Sequence, residues 1–164
     1  MISENEAYGT AARLVRTFAE RGLTFSTAES CTGGLIAKLV TDVSGSSTVL
    51  AGGCVSYTNE VKTRVLGVPK AVIDRDTEVS VACAEAMATG ARRLFGTDVA
   101  VSTTGFAGPT GGTEKDPVGT VYIGVATEQG SDCIRFSAPQ GSDRATVRLA
   151  AAVVALEQAL ETVK

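Results

Sequence analysis

A short apolar segment, Leu23–Ala28, runs into Glu29-Ser30-Cys31-Thr32-Gly33-Gly34, and Leu35, Ile36, Leu39 and Val40 follow at helical spacing. A strand that meets a helix through a tight glycine turn has few ways to fold, because its helix must pack back on a sheet; this is the opening of an α/β unit. The remaining elements agree with it. Ala11, Leu14, Val15 and Phe18 predict a first helix over about 5–21, closed by Gly22. Val49–Tyr57 reads as a second strand, and Asn59–Leu66 as a short helix stopped by Gly67 and Pro69. Val79–Phe95 is a long helix, and Val99–Thr103 is apolar and β-branched enough for a buried strand. Val118–Thr127 and Ser131–Ala138 flank Glu128-Gln129-Gly130 as an antiparallel hairpin, and Arg144–Thr162 closes the chain as a helix. No repeat, linker or low-complexity tract interrupts this order, so one α/β domain is expected.

Composition narrows the chemistry. A chain of 164 residues with 44% hydrophobic and 20% charged residues is globular and buries roughly 70% of its unfolded surface. Its 15 basic and 18 acidic residues leave a net charge of −3 with no basic run, which argues against nucleic acid as a partner. There is no histidine, and Cys31, Cys54, Cys83 and Cys133 are scattered without metal-ligand spacing, so no metal site is expected. The same scatter inside apolar stretches reads as reduced, buried thiols of a cytoplasmic protein. The start MISENEAYGT lacks a basic end followed by an apolar core, and no apolar run approaches membrane-spanning length, so neither a signal peptide nor a membrane partner is expected.

Ligands of α/β sheets gather at the carboxyl ends of strands, where Ser30 stands. Gly33 and Gly34 allow close approach to the backbone, and the amides around Thr32–Gly34 are candidate donors to an anion or an oxyanion. Glu29, Ser30 and Thr32 also suit a plainer role as helix caps. Neither GxGxxG nor GxxxxGK[ST] is present, so the turn is not a dinucleotide or P-loop fingerprint. Cys31 is the rival nucleophile; without a histidine to activate it, it reads as structural. A serine then needs another base, and a lysine whose pKa is lowered by burial is the usual substitute. Lys62, just beyond the second strand, is the candidate, although a lysine on a short helix is more often solvated. Tyr57, at the end of that strand, can hydrogen-bond the serine or the lysine, or simply cover the core edge. The Gly-rich loop Thr104–Gly112, with Thr104, Gly105 and Gly108, has the length and composition of one that wraps a ligand. Arg144 and Arg148 stand one turn apart at a helix start, where positive charge is disfavoured unless a phosphate or a carboxylate such as Asp143 compensates it.

Taken together, Thr27-Ala28-Glu29-Ser30-Cys31-Thr32-Gly33-Gly34, Val55-Ser56-Tyr57-Thr58-Asn59 with Lys62, Thr104–Gly112, Pro117-Val118-Gly119-Thr120-Val121 and Asp143-Arg144-Ala145-Thr146-Val147-Arg148 resemble the CinA C-terminal domain family over nearly all of the chain. The family's characterised enzymes are nicotinamide mononucleotide deamidases. The resemblance implies a three-layer α/β/α sandwich with a mixed sheet, in the stand-alone form rather than fused behind a second domain. It implies hydrolysis of nicotinamide mononucleotide to nicotinate mononucleotide and ammonia by Ser30 and Lys62 with Tyr57 assisting, without a cofactor. The substrate would be held by Thr32, Gly33, Gly34, Thr104, Gly105, Gly108 and Arg144. The expected partner is this small nucleotide, and a homo-oligomer is compatible with the sequence. A non-catalytic nucleotide-binding domain and a serine amidase for another small amide are the competing readings. Two departures stand out: Gly141-Ser142-Asp143-Arg144 carries one residue more than the family's Gly-x-Arg, and Thr104 replaces a common serine.

Overall fold

The computed structural model describes residues 2–164. Helix α1 (Glu4–Arg21) begins with a reciprocal cap between Ser3 and Glu6 and ends on Gly22 in the left-handed region, at φ 66°. It leads to strand β1 (Phe25–Glu29), helix α2 (Leu35–Thr41), a single turn at Ser46–Thr48, and strand β2 (Leu50–Val55). Helices α3 (Asn59–Leu66), α4 (Lys70–Asp76) and α5 (Val81–Phe95) follow. Strands β3 (Val99–Gly105), β4 (Thr120–Thr127) and β5 (Gly130–Ser137) and helix α6 (Arg144–Glu161) complete the chain.

The five strands form one mixed sheet in the order β2-β1-β3-β4-β5. β1 runs parallel to β2 and β3, and the remaining pairs are antiparallel. From β1 the chain crosses through α2 to β2 on one side, then returns through α3, α4 and α5 to β3 on the other. The carboxyl ends of β1 and β3 therefore flank a point where successive connections diverge, the usual place for a ligand in such a sheet.

Side-chain alternation builds the other two layers. Phe25, Val99, Val101, Val121 and Ile123 pack with Leu14 and Phe18 of α1, Ile36 and Val40 of α2, and Leu156 of α6. Phe18 and Phe25 meet edge to face with centroids 6.0 Å apart, an arrangement worth about 0.5–1.5 kcal/mol beyond burial. On the opposite face, Ala28 and Ala100 meet Leu66 of α3 and Cys83, Met87 and Ala91 of α5. The result is the expected α/β/α sandwich. No helix among the described residues is long and apolar enough to cross a membrane.

Three local expectations need correction. β1 starts two residues late because Thr24 is tied sideways to Asp98, whose carboxylate accepts from both the Thr24 amide and hydroxyl at 2.8 Å. β2 stops at Val55, so Tyr57 lies in the loop beyond the strand. Helix α4 was not expected at all; its seven residues include no fully buried one, and the apolar period that announces a helix is missing.

Helix α3 is held close to α5 by Gly90. A Cβ built there would lie 2.0 Å from the Leu66 carbonyl oxygen, at the end of the helix that carries Lys62. Gly90→Ala should therefore destabilise the domain by about 2–3 kcal/mol, although alanine is intrinsically the better helix former by about 1 kcal/mol. Urea unfolding measures this; an unchanged midpoint would show that α3 and α5 separate freely.

Candidate active site

The turn after β1 is organised around a buried carboxylate. Glu29 Oε2 accepts from the amides of Gly34 at 3.0 Å and Ile36 at 3.1 Å, and Oε1 from that of Ala37 at 2.9 Å. The Thr32 hydroxyl donates to Oε2 at 2.6 Å and lies 2.7 Å from the Thr103 hydroxyl on β3. Gly33 and Gly34 take φ values of 61° and 96°, which favour glycine, so that the chain can fold over the carboxylate. Of the three expected caps, Glu29 performs that task and Ser30 does not. The Gly33 amide bonds the Ser30 carbonyl and the Leu35 amide the Thr32 carbonyl, at 3.1 and 3.2 Å. The expected anion donors Gly33 and Gly34 are thus occupied by the protein itself, and the Thr32 side chain is fully buried. Within the turn from Ser30 to Ala37, the amides of Cys31 and Thr32 alone have no acceptor in another described residue.

The freed Ser30 hydroxyl faces the other layer. Lys62 Nζ lies 3.1 Å from Ser30 Oγ and donates to the Ser56 carbonyl at 2.8 Å. Thr58 caps α3 by accepting from the Val61 amide, and this start of the helix sends the Lys62 side chain inward, where the residue is only 1% exposed. Burial lowers the pKa of Lys62 below its ordinary value, opposed by the smaller influences of Cys83, Glu78 and Cys31. Cys31, also beside the pair, has its thiol pushed up to about 11 by burial, which leaves little thiolate near neutrality.

Ser30 and Lys62 open into a pocket of about 230 Å³. Thr104, Gly105 and Gly108 line it with Tyr57 and Arg144; Thr32, Gly33 and Gly34 do not. Tyr57 is 59% exposed, and its hydroxyl accepts from Arg144 Nη2 at 3.2 Å rather than bonding Ser30 or Lys62. Its expected place within the pair is corrected to the rim. Arg144 Nη1 also donates to the Gly108 carbonyl at 2.6 Å, joining Tyr57 to the Gly-rich loop. Arg148 points elsewhere: it donates to the carbonyls of Cys31 at 3.2 Å and Thr32 at 2.7 Å, bracing the turn from behind. Asp143 pairs with neither arginine; it caps α6 by accepting from the Thr146 amide at 2.8 Å. A larger groove of about 650 Å³ lies at the other end of the sheet, beside the β4–β5 turn and the end of α6. It contains no comparable serine and buried lysine.

Glu78 and Asn59 also line the site; Asn59 belongs to the motif quoted from the sequence but has no expected site role, and Glu78 belongs to no motif. Glu78 follows α4, the helix whose pattern is silent, and no local signal marks it. Among the described residues no cluster of metal-ligating side chains is present.

Burying Lys62 has a consequence for stability. The unfolded chain binds the lysine proton more tightly than the folded one. The penalty is fully present below the folded-state pKa and is relieved as pH rises toward 10.5. Relative to wild type, Lys62→Met protein should therefore be favoured most near neutral pH, and the difference should narrow on the alkaline side. Parallel pH profiles of Tm for the two proteins would show that Lys62 titrates normally.

Residues 8–163 match the CinA C-terminal domain family. A CinA-like protein of Geobacter sulfurreducens is 49% identical over 144 residues, covering 88% of this chain and 34% of that protein. One from Myxococcus xanthus is 48% identical over 155 residues, covering 94% and 36%. The chain thus spans about a third of the length of these curated relatives. Among solved structures, the competence/damage-inducible protein CihA from Agrobacterium tumefaciens superposes with a TM-score of 0.93 at 36% identity, covering 100% of this chain and 98% of that one. A CinA superfamily protein from Klebsiella pneumoniae gives 0.90 at 30% identity, covering 95% and 96%. With sequence match and superposition both running through the whole sandwich, the chain belongs to the CinA C-terminal domain family.

Proposed function

We propose that this domain is an amidohydrolase that converts nicotinamide mononucleotide and water to nicotinate mononucleotide and ammonia. The observation that carries the reading is the buried Lys62 amine 3.1 Å from Ser30 Oγ, at a strand end that opens into a pocket. A neutral amine there can accept the serine proton, and burial favours the neutral form. Ser30 Oγ attacks the carboxamide carbon while its proton passes to Lys62. The amide of Cys31, the residue that follows the nucleophile and lines the pocket, is the available donor to the tetrahedral oxyanion. Collapse breaks the carbon–nitrogen bond, the nitrogen takes the proton from Lys62, and ammonia leaves. Water then attacks the acyl-enzyme, giving a proton to Lys62 that returns to Ser30 as the ester bond breaks. No step requires a metal or an organic cofactor.

Arg144 supplies the phosphate end of the reading, since its guanidinium lines the same pocket and is paired with no carboxylate. The Tyr57 hydroxyl and the Gly108 carbonyl give it a fixed position from which a charge-assisted contact is strong. The reading takes the protein to be cytoplasmic, which its four unpaired cysteines support.

Incubation with nicotinamide mononucleotide should release ammonia at a rate that rises with pH along a limb set by Lys62. Ser30→Ala should lower it by at least about a thousandfold while leaving nucleotide binding intact. Binding without ammonia release by the wild-type protein would identify a nucleotide-binding domain instead, and full activity of Ser30→Ala would sink the serine mechanism.

Arg144→Ala should weaken binding of the mononucleotide about ten- to a hundredfold, and that of the unphosphorylated riboside far less. Equal losses for the two ligands would assign Arg144 to holding Tyr57 and the Gly108 loop together.

A further inference from the structure

Besides Cys31 and Tyr57, three basic or acidic side chains line the pocket: Lys62, Arg144 and Glu78. Arg144 is suited to an anion and Lys62 is held toward its neutral form, so Glu78 stands out. A carboxylate opposes the binding of a phosphorylated ligand unless that ligand also brings a positive charge. Among the described residues the Glu78 carboxylate has neither an ion-pair nor a hydrogen-bond partner, although the residue is partly buried. Only its backbone is engaged, through the carbonyl that accepts from the Thr104 hydroxyl at 2.6 Å. Thr104 follows Thr103, whose carbonyl accepts from the Ser30 amide at 2.9 Å, so the Thr104 hydroxyl bond ties Glu78 to the strand end beside Ser30, and the Glu78 charge acts on Lys62.

The backbone beside it is strained. Thr77 is the one non-glycine residue with positive φ among the described residues, at φ 68° and ψ 171°. The Thr77 amide donates to the Ile73 carbonyl at 3.0 Å, and its own carbonyl accepts from the Ser80 hydroxyl at 3.0 Å, so both sides of the strained residue are held. Such conformations persist where the surroundings enforce them, and they concentrate at ligand clamps.

We propose that Glu78 is the counter-ion of a positively charged pyridinium ring, and that it selects a cationic heteroaromatic carboxamide over a neutral one of the same shape. This rests on the deamidase reading above. In that reading the carboxamide carbon lies at Ser30, and the ring is bonded directly to it, so the ring charge comes to the end of the pocket where Glu78 acts. The phosphate lies at the other end, with Arg144. A pocket of alternating charge then matches a zwitterionic nucleotide, and specificity follows from the difference in affinity between cationic and neutral rings.

The test compares nicotinamide mononucleotide with the 5′-monophosphate of benzamide riboside, in which carbon replaces the ring nitrogen and the ring is neutral. Binding is measured by calorimetry in Ser30→Ala protein, with and without Glu78→Gln. Glu78→Gln should weaken the nicotinamide nucleotide about tenfold and leave the neutral analogue within about twofold. Glu78→Asp, which keeps the charge, should retain most of the discrimination. Equal losses for the two ligands would place Glu78 against the carboxamide or ribose and overturn the proposal, as would no loss for either. Failure of Ser30→Ala protein to bind either ligand, together with no ammonia from the wild-type protein, overturns the deamidase reading itself; binding of the nicotinamide nucleotide that is indifferent to Glu78 overturns this inference alone.

Discussion

The Glu29 carboxylate gathers three amides and a hydroxyl beneath the start of α2. Its own backbone is equally committed, since β1 pairs with β2 and β3 at this residue, Glu29 lying opposite Val55 on one side and Thr103 on the other. The Ser56 amide donates to the Glu29 carbonyl at 2.9 Å, and the Ser30 amide to the Thr103 carbonyl at 2.9 Å. These bonds lock together the end of β1, the head of α2 and the exits of two neighbouring strands. A buried carboxylate is tolerable because the amides at a helix start need acceptors and carry a favourable dipole. With that demand met by Glu29, the next residue, Ser30, can turn its hydroxyl toward the opposite layer.

The opposite layer supplies what Ser30 meets. Lys62 reaches it because α3 starts at a Thr58 cap and lies close to α5, where Gly90 allows backbone contact. The cost is a lysine held in a place that disfavours its charge, with the Ser56 carbonyl as its one other hydrogen-bond partner. Holding an amine toward its neutral form by burial gives up stability.

The two arginines at the head of α6 show how one helix can serve two ends of a site. Arg144 joins Tyr57 to the Gly-rich loop at the rim, while Arg148 takes the carbonyls of Cys31 and Thr32 behind Ser30. A single helical turn separates them along the chain, yet one faces the pocket and the other its scaffold. The charge conflict visible in their spacing is met by the Asp143 cap and by carbonyl oxygens, without a partner carboxylate for either arginine.

Much of this was legible from local order. The strand, the glycine turn and the amphipathic helices specify an α/β sandwich because apolar period and turn chemistry act over a few residues, and the missing histidine directs attention to Lys62 as the partner of a serine. Spacing could not decide which oxygen caps α2, since Glu29, Ser30 and Thr32 all suit that task. The choice depends on the carboxylate reaching amides up to eight residues ahead. Nor could it place Tyr57 on the rim, separate Arg144 from Arg148, or bring Glu78 into the pocket that Lys62 lines. Those relations arise where β1, β3, α3 and α6 converge from distant parts of the chain, and only packing of the two helical layers against one sheet sets the distances between them. Local sequence is enough to find the reactive groups and every element with an apolar period, though not α4; which groups meet is set by the packed layers, because burial and hydrogen-bond direction exist only once the layers assemble.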